Sequence, residues 1–196
     1  ECINYLKVAG HEKRLPPVYF EFGCHSGRTF SAAVNAANYV GLEEADFFAF
    51  DSFEGLPSTV KIEDGIFQEG EFSTGIKEFE EIIKKNTGLV LPRQNIIKGF
   101  YSNTLSNDLQ AKMPKVGMVH IDVDLYSSTV EVLEFIKPLI VPGSILIFDD
   151  WYCFPVGEAK GERLALEEFL SKNDAFSVEE WKSYSTFGKS FFVTSI

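Results

Sequence analysis

M-V-H-I-D-V-D-L-Y-S-S-T (118–129) and S-I-L-I-F-D-D (144–150) are two apolar runs that each stop in carboxylates, Asp122 and Asp124 in the first, Asp149 and Asp150 in the second. Short runs this apolar match strands buried on both faces, as in a parallel sheet. Between them Val130, Leu133, Ile136 and Ile140 fall on one helical face, opened by Ser128 and Glu131 at capping-box spacing. Strand, helix and strand in this order predict neighbouring parallel strands whose C-terminal ends lie side by side. Three or four acids then share one rim. Carboxylates held that close raise one another's pKa unless a cation sits between them, so a divalent-metal site is expected there.

Outward from this pair the same alternation continues. V-Y-F-E-F (18–22), A-D-F-F-A-F-D (45–51) and Q-N-I-I-K-G-F (94–100) read as strands, and V-G-M-V-H-I-D-V-D (116–124) and 144–149 complete five. Phe30, Ala33, Val34, Ala37 and Val40 define a helix over 28–40 stopped by Gly41. Ser73 caps a helix with Ile76, Phe79 and Ile83 inward that stops near Gly88. Leu105 and Leu109 belong to a short helix over 102–112, and Ala165, Leu166, Phe169 and Leu170 to one over about 158–172. Residues 52–72 show no period, and a loop of that length is commonly a lid or binding loop. F-S-V-E-E-W-K-S-Y (176–184) and F-G-K-S-F-F-V-T (187–194) are separated only by a short turn, so they must pair antiparallel. The expected fold is α/β: a Rossmann-like, doubly wound, mostly parallel seven-stranded sheet ending in an antiparallel β-hairpin, with helices on both faces. Residues 1–196 make one domain, with 1–17 as an N-terminal helix or arm. The chain begins at Glu1 rather than Met, so further residues are expected before it, either cut away or lying outside this sequence.

At 196 residues such a domain buries roughly 70% of its unfolded surface. A net charge of −11 argues against nucleic acid as the main partner. No apolar run approaches the length of a membrane span, and no leader precedes the first strand. Three widely spaced cysteines (Cys2, Cys24, Cys153) suggest neither a disulfide framework nor a zinc site and point to the reducing cytoplasm. A homo-oligomer is compatible with all of this.

Ligands of doubly wound sheets bind beyond the carboxyl ends of the strands. There the chain offers Glu21-Phe-Gly23-Cys-His-Ser-Gly27, whose glycines let backbone approach a ligand and whose following helix presents free N–H groups. A tight strand-to-helix turn would look the same. Asp51, ending the second strand, stands where an acid accepts ribose hydroxyls, and the combination points to a nucleoside.

These features are similar to those of class I S-adenosylmethionine-dependent methyltransferases. More closely, F-D-S-F-E-G-L-P (50–57), K-G-F-Y-S-N-T-L (98–105), H-I-D-V-D-L-Y-S-S-T (120–129), V-P-G-S-I-L-I-F-D-D-W (141–151) and G-E-R-L-A-L-E-E-F (161–169) resemble the macrocin O-methyltransferase family. The resemblance implies methyl transfer from S-adenosylmethionine to a hydroxyl of a small molecule, usually a sugar, with Mg²⁺ assistance. By position, Glu21, Gly23 and Gly27 would flank the methionine part of the cofactor, Asp51 and Ser52 the ribose, and Gly99, Phe100 and Ser102 the adenine. Asp122, Asp149 and Asp150 would match the metal ligands. Asp124 would be a base, a fourth ligand, or a charge at the N-terminus of the next helix. The chain departs from the pattern at Val123, where the family has Gly, and at Trp151, where it has Tyr. Leu125 stands where the catechol O-methyltransferases carry a lysine base, and only about 17 residues precede the first strand.

The remaining candidates have plainer readings. His120, two residues below Asp122 on the same strand face, reads as a core or supporting histidine, His25 as a loop side chain near the expected sulfonium, and Cys24 as a small residue in a turn. Phe53, Phe67, Phe72, Trp151 and Phe154 are candidates for an apolar pocket wall, but with 19 phenylalanines in the chain core packing is the default. The competing functions are a non-catalytic, methyltransferase-like nucleoside-binding module and a nicotinamide-dependent oxidoreductase. The missing G-x-G-x-x-G and the hairpin ending count against the second.

Overall fold

The computed structural model describes residues 1–11, 15–58, 68–155, 158 and 160–196. The apolar runs become strands β1 (Val18–Phe22), β2 (Asp46–Asp51), β3 (Ile96–Lys98), β4 (Val116–Ile121) and β5 (Ile140–Phe148), followed by β6 (Ser177–Tyr184) and β7 (Gly188–Ser195). They form one seven-stranded sheet in the order β3-β2-β1-β4-β5-β7-β6. The first five are parallel, while β7 runs antiparallel to both β5 and β6. The last strand of the chain therefore slots between β5 and β6. Strand order reverses between β1 and β4, the switch point where such sheets bind ligands.

Alternation along the strands splits the core in two. Phe20, Phe22, Phe48, Phe50, Val119, Ile121 and Phe148 point to one face, and Tyr19, Phe47, Ala49, Met118, Ile145 and Ile147 to the other. Helices α1 (Cys2–His11), α2 (Arg28–Val40) and α3 (Ile76–Thr87) supply apolar side chains on the second face. The first face is covered by the single turns α4 (Tyr101–Thr104) and α5 (Asn107–Gln110) and by α6 (Tyr126–Ile136) and α7 (Gly161–Lys172). The expected fold class is thus observed. Among the described residues no helix is long and apolar enough to cross a membrane.

Several boundaries differ from the sequence pattern, each for a local reason. The helix expected over 102–112 breaks into α4 and α5, with Ser106 capping the second turn by accepting from Leu109 N at 3.2 Å. α3 starts after Gly75 with no side-chain cap, so Ser73 does not open it. α6 begins at Tyr126, which puts Ser128 and Glu131 inside the helix rather than in a capping box. Ile140 leaves that helix and starts β5, four residues earlier than expected. While β4 advances from Val116 to Met118, β5 advances from Ile140 to Ile145, so Pro142 and Gly143 bulge out of the ladder. Ser144 closes the bulge: its hydroxyl accepts from Val141 N at 2.9 Å and donates to Val116 O at 2.8 Å. The lid expected over 52–72 falls in part on 59–67, outside the described residues.

Phe50 stacks on Phe22 with centroids 4.3 Å apart and meets Phe135 edge-on at 5.9 Å, with none of its own surface exposed. Phe50→Ala is expected to lower the free energy of unfolding by about 3–5 kcal/mol, since it empties the centre of the first core. Urea denaturation checks this, and a loss below about 1 kcal/mol would contradict the packing described.

Candidate active site

Five strand ends meet at the switch point. The Gly23–Gly27 turn follows β1, Asp51 ends β2, Gly99 and Phe100 follow β3, Asp122–Asp124 follow β4, and Asp149 and Asp150 follow β5. They surround a cavity of about 840 Å³. Gly23, Asp51, Ser52, Gly99, Phe100 and Ser102 line it, as do Asp122, Asp124 and Asp150. Glu21, Gly27 and Asp149 do not.

The glycine turn is held by geometry that other residues could not adopt. Gly23 has φ 82°, and a Cβ there would lie 1.6 Å from the carbonyl oxygen of Asp122. The turn therefore rests directly on the backbone of the D-V-D segment. Gly27, at φ 71°, is kept bare for another reason: a Cβ would meet Ile83 Cδ1 at 2.7 Å and the Phe79 ring at 3.1 Å. It lets α2 start against α3. Asp51 organises the turn, since Oδ2 accepts from Cys24 N at 2.7 Å and His25 N at 2.9 Å while Oδ1 accepts from Phe53 N at 2.6 Å. A carboxylate has about four lone-pair sites, so acceptor capacity remains for a ribose hydroxyl. The Ser52 hydroxyl donates to Gly55 O at 2.8 Å and shapes the next turn.

Glu21 lies beneath this floor, fully buried. It accepts from the Tyr19 hydroxyl, and its Oε2 lies 3.8 Å from His120 Nδ1. On its other side His120 Nε2 lies 3.4 Å from the Tyr184 hydroxyl and 3.8 Å from Asp149 Oδ1, and Tyr184 donates to that same oxygen at 3.2 Å. A polar chain thus runs through the core from β1 to the rim and turns Asp149 toward the hairpin. Burial pushes the Glu21 carboxyl up to about 7, against the pull of His120 and Tyr19. Burial would lower His120, but Asp149, Glu21 and Asp122 together hold it above its ordinary value. The hydrogen bond and charge of His120, with the Tyr184 hydroxyl, hold Asp149 below the usual carboxylate range against its partial burial.

Asp122 is pushed up to about 8, first by burial and then, against the pull of His120, by the charges of Asp149, Asp150 and Glu21. Asp150 accepts from the Cys153 thiol at 2.8 Å and is hydrogen-bonded to Asp124, while its Oδ2 is buried without a partner. Asp124 itself sits at φ 60°, a strained conformation for a residue other than glycine. The acids expected to bind metal share one rim, yet among the described residues no three His, Cys, Asp or Glu side chains are placed to hold one ion. In kind the donors fit a hard divalent cation: carboxylate oxygens alone, crowded and, at Asp150 Oδ2, unpartnered.

Of the other candidates, His25 lines the cavity with its ring edge-on to Phe72 at 5.7 Å, and Phe72 lines it too. Phe53 and Trp151 are core residues, packed on Phe79 and on Phe148 and Phe191. Phe154 abuts Gly161, and Phe67 lies outside the described residues. Two residues that sequence reasoning missed are Tyr184, from the terminal hairpin, and Glu162. Glu162 is fully buried at the start of α7 and accepts from Asp150 N at 2.9 Å and, more weakly, from Val123 N at 3.5 Å. The signal was present, because 162 shares a helical stripe with Ala165, Leu166 and Phe169, and an acid on an apolar stripe needs a partner.

A family model described as macrocin O-methyltransferase matches residues 13–175. A tetracenomycin-C derivative 4'-O-methyltransferase of Streptomyces olivaceus, whose acceptor carries a dimethoxyrhamnosyl group, is 26% identical over 108 residues, which are 52% of this chain. The chain spans only 40% of that relative's length. Among solved structures, the O-methyltransferase NovP superposes with TM-score 0.76 at 18% identity, covering 98% of this chain and 78% of that one. TomG of Streptomyces achromogenes, a tomaymycin-synthesis O-methyltransferase solved with S-adenosylmethionine, gives 0.62 at 11%, covering 99% and 79%. At these identities the likeness shows the fold. The matches lend nothing to the oxidoreductase alternative.

The raised groups fix how stability depends on pH. Glu21 (4.5 when free, about 7 folded) and Asp122 (3.8 and about 8) hold protons in the fold that the unfolded chain releases. Their contribution is full below their free values and is lost as pH rises through 7 and 8, and raised His120 acts with the same sign. The melting temperature of metal-free protein should therefore fall between about pH 5 and pH 8, and Asp122→Asn should flatten the upper part of that fall. Thermal melts with a chelator present check it; a midpoint that climbs over this range contradicts the assignment.

Proposed function

The chain belongs to the macrocin O-methyltransferase family, and on that footing we propose that it methylates a sugar hydroxyl of a glycosylated small molecule, using S-adenosylmethionine and Mg²⁺. One observation carries the reading: the glycine turn and the crowd of acids open into the same cavity. Gly23, Asp51, Ser52, Gly99, Phe100 and Ser102 would hold the cofactor, with Glu21 and Gly27 shaping the floor behind them. Asp122, Asp149 and Asp150 would hold the cation, which asks Asp149 to turn from Tyr184. S-adenosylmethionine supplies an electrophilic methyl group and Mg²⁺ the charge that lowers the acceptor's pKa.

The protein's own part is orientation and proton transfer. Asp124, which lines the cavity, in its ionised form takes the hydroxyl proton, with a neighbouring carboxylate of the acid cluster as the alternative acceptor. An O–CH₃ bond forms as the S–CH₃ bond breaks, leaving S-adenosylhomocysteine. The wall also bears on the acceptor. Besides the strand-end aspartates, Glu54, Glu69, Glu71 and Glu131 line the cavity, and among the described residues no Lys or Arg does. Such a wall favours a sulfonium and a neutral or cationic glycoside, and disfavours a sugar still joined to a nucleotide diphosphate. Residues 1–196 act as one catalytic unit in this reading, and the cytoplasm, where the cofactor is made, suits it.

The test is methyl transfer from S-adenosylmethionine to a panel of rhamnosides and their amino-sugar and nucleotide-diphosphate counterparts, followed by mass spectrometry. Turnover should need Mg²⁺ and collapse with a chelator. Asp124→Asn should cost about 10²–10⁴-fold in rate with S-adenosylhomocysteine affinity retained. Equal turnover with and without chelator would remove the metal from the reading. Cofactor binding without turnover of any acceptor would favour the non-catalytic module.

A further inference from the structure

Beyond their last shared bond, from Asp149 N to Ile121 O at 3.0 Å, β4 and β5 part. The two acid-bearing turns then leave the ladder with the amides of Val123 and Asp150 no longer paired strand to strand. Glu162 reaches into that gap from the first turn of α7. Its Oε2 accepts from Asp150 N at 2.9 Å and its Oε1 from Val123 N at 3.5 Å, so one carboxyl group grips both turns. The helix that carries it is docked on the same turn: a Cβ at Gly161 would lie 3.5 Å from the carbonyl oxygen of Asp124 and 2.7 Å from the Phe154 ring.

We propose that Glu162 is a positioning residue that fixes the separation and orientation of the Asp122–Asp124 and Asp149–Asp150 turns, and through them the reacting hydroxyl. The inference rests on the methyltransferase reading above. Glu162 does not line the cavity and touches neither donor nor acceptor. An apolar side chain would suit the stripe with Ala165, Leu166 and Phe169 equally well, but would leave Asp150 N without its partner. Burial, with the charges of Asp150 and Asp122 added, holds the Glu162 carboxyl well above the usual range.

Two measurements decide it. Glu162→Gln keeps the volume but replaces one acceptor with a donor. The variant should retain S-adenosylhomocysteine affinity within about twofold, while its kcat falls and the Mg²⁺ concentration for half-maximal rate rises, each by about 10–100-fold. A merely structural glutamate would lower the melting temperature and leave the Mg²⁺ dependence where it was, and that result overturns the proposal. Hydrogen exchange on the unaltered chain reads the grip without any substitution. The Asp150 amide should exchange at least about a hundredfold more slowly than an unstructured amide. Fast exchange there overturns the proposal even if Glu162→Gln fails to fold or no acceptor is turned over, whereas absent turnover with a protected amide counts against the methyltransferase reading alone.

Discussion

Two parallel strands that end in register cannot keep their terminal carboxylates apart. Ile121 pairs with Phe148, so Asp122 and Asp149 leave the sheet as neighbours, with Asp150 one residue further. Neighbouring parallel strands run about 4.8 Å apart, too close for three unpaired charges in a partly buried site. The surrounding structure answers each charge differently. Asp149 is drawn to Tyr184 and His120, Asp150 to Cys153 and Asp124, and Asp122, deepest of the three, is left to hold a proton or meet a cation. The terminal hairpin has a task in this as well, since β7 pairs with β5 and β6 brings Tyr184 over the rim.

Much of this was legible because parallel strands covered on both faces have little freedom of composition. Phe20, Phe22, Phe48 and Phe50 could only be core, and carboxylates at the ends of such runs could only be rim. The hairpin was legible for a topological reason: with a few residues between β6 and β7, no crossover fits. Boundaries set by one tertiary contact were not legible. The start of α6 depends on the tight turn at Asp124, where Leu125 N bonds Val123 O at 2.6 Å, and a capping-box spacing at Ser128 and Glu131 competes with that turn and loses. The bulge in β5 depends on Ser144 reaching Val116 across the sheet, which nothing near residue 144 announces.

Within the site, residue types were easier to read than the directions of their side chains. Asp51 was expected to face a ribose, and its end of β2 does line the cavity. Three backbone amides nevertheless bond to it: Cys24 and His25 from a five-residue turn whose two left-handed glycines leave N–H groups for an acceptor across the β1–β2 gap, and Phe53 from the turn that follows Asp51 itself. Glu21 was expected beside the cofactor; it is fully buried and outside the cavity lining, since residue 21 shares a strand face with Tyr19, the face that α2 covers. Even there the acid is not idle packing. A buried carboxyl with one unpartnered oxygen beside an unpartnered imidazole nitrogen, Glu21 Oε1 and His120 Nδ1, would be costly in a core with no further use for it.

The contact between Gly23 and the Asp122 carbonyl ties these features together. Donor and acceptor halves of such a site are usually pictured as separate pockets facing each other. Here they share a wall of bare backbone, too thin to admit a Cβ. A shift of the glycine turn therefore moves Asp122, and a shift of Asp122 moves the turn. Asp51 fixes the turn from the β2 side while Glu162 fixes the D-V-D segment from the α7 side. Two carboxyl groups thus hold backbone amides on either side of this single contact, and in the proposed reaction they would place the reacting groups without taking part in the chemistry. Displacements of about 1 Å can cost a hundredfold in rate, and a wall held from both sides is a direct way to keep them smaller than that.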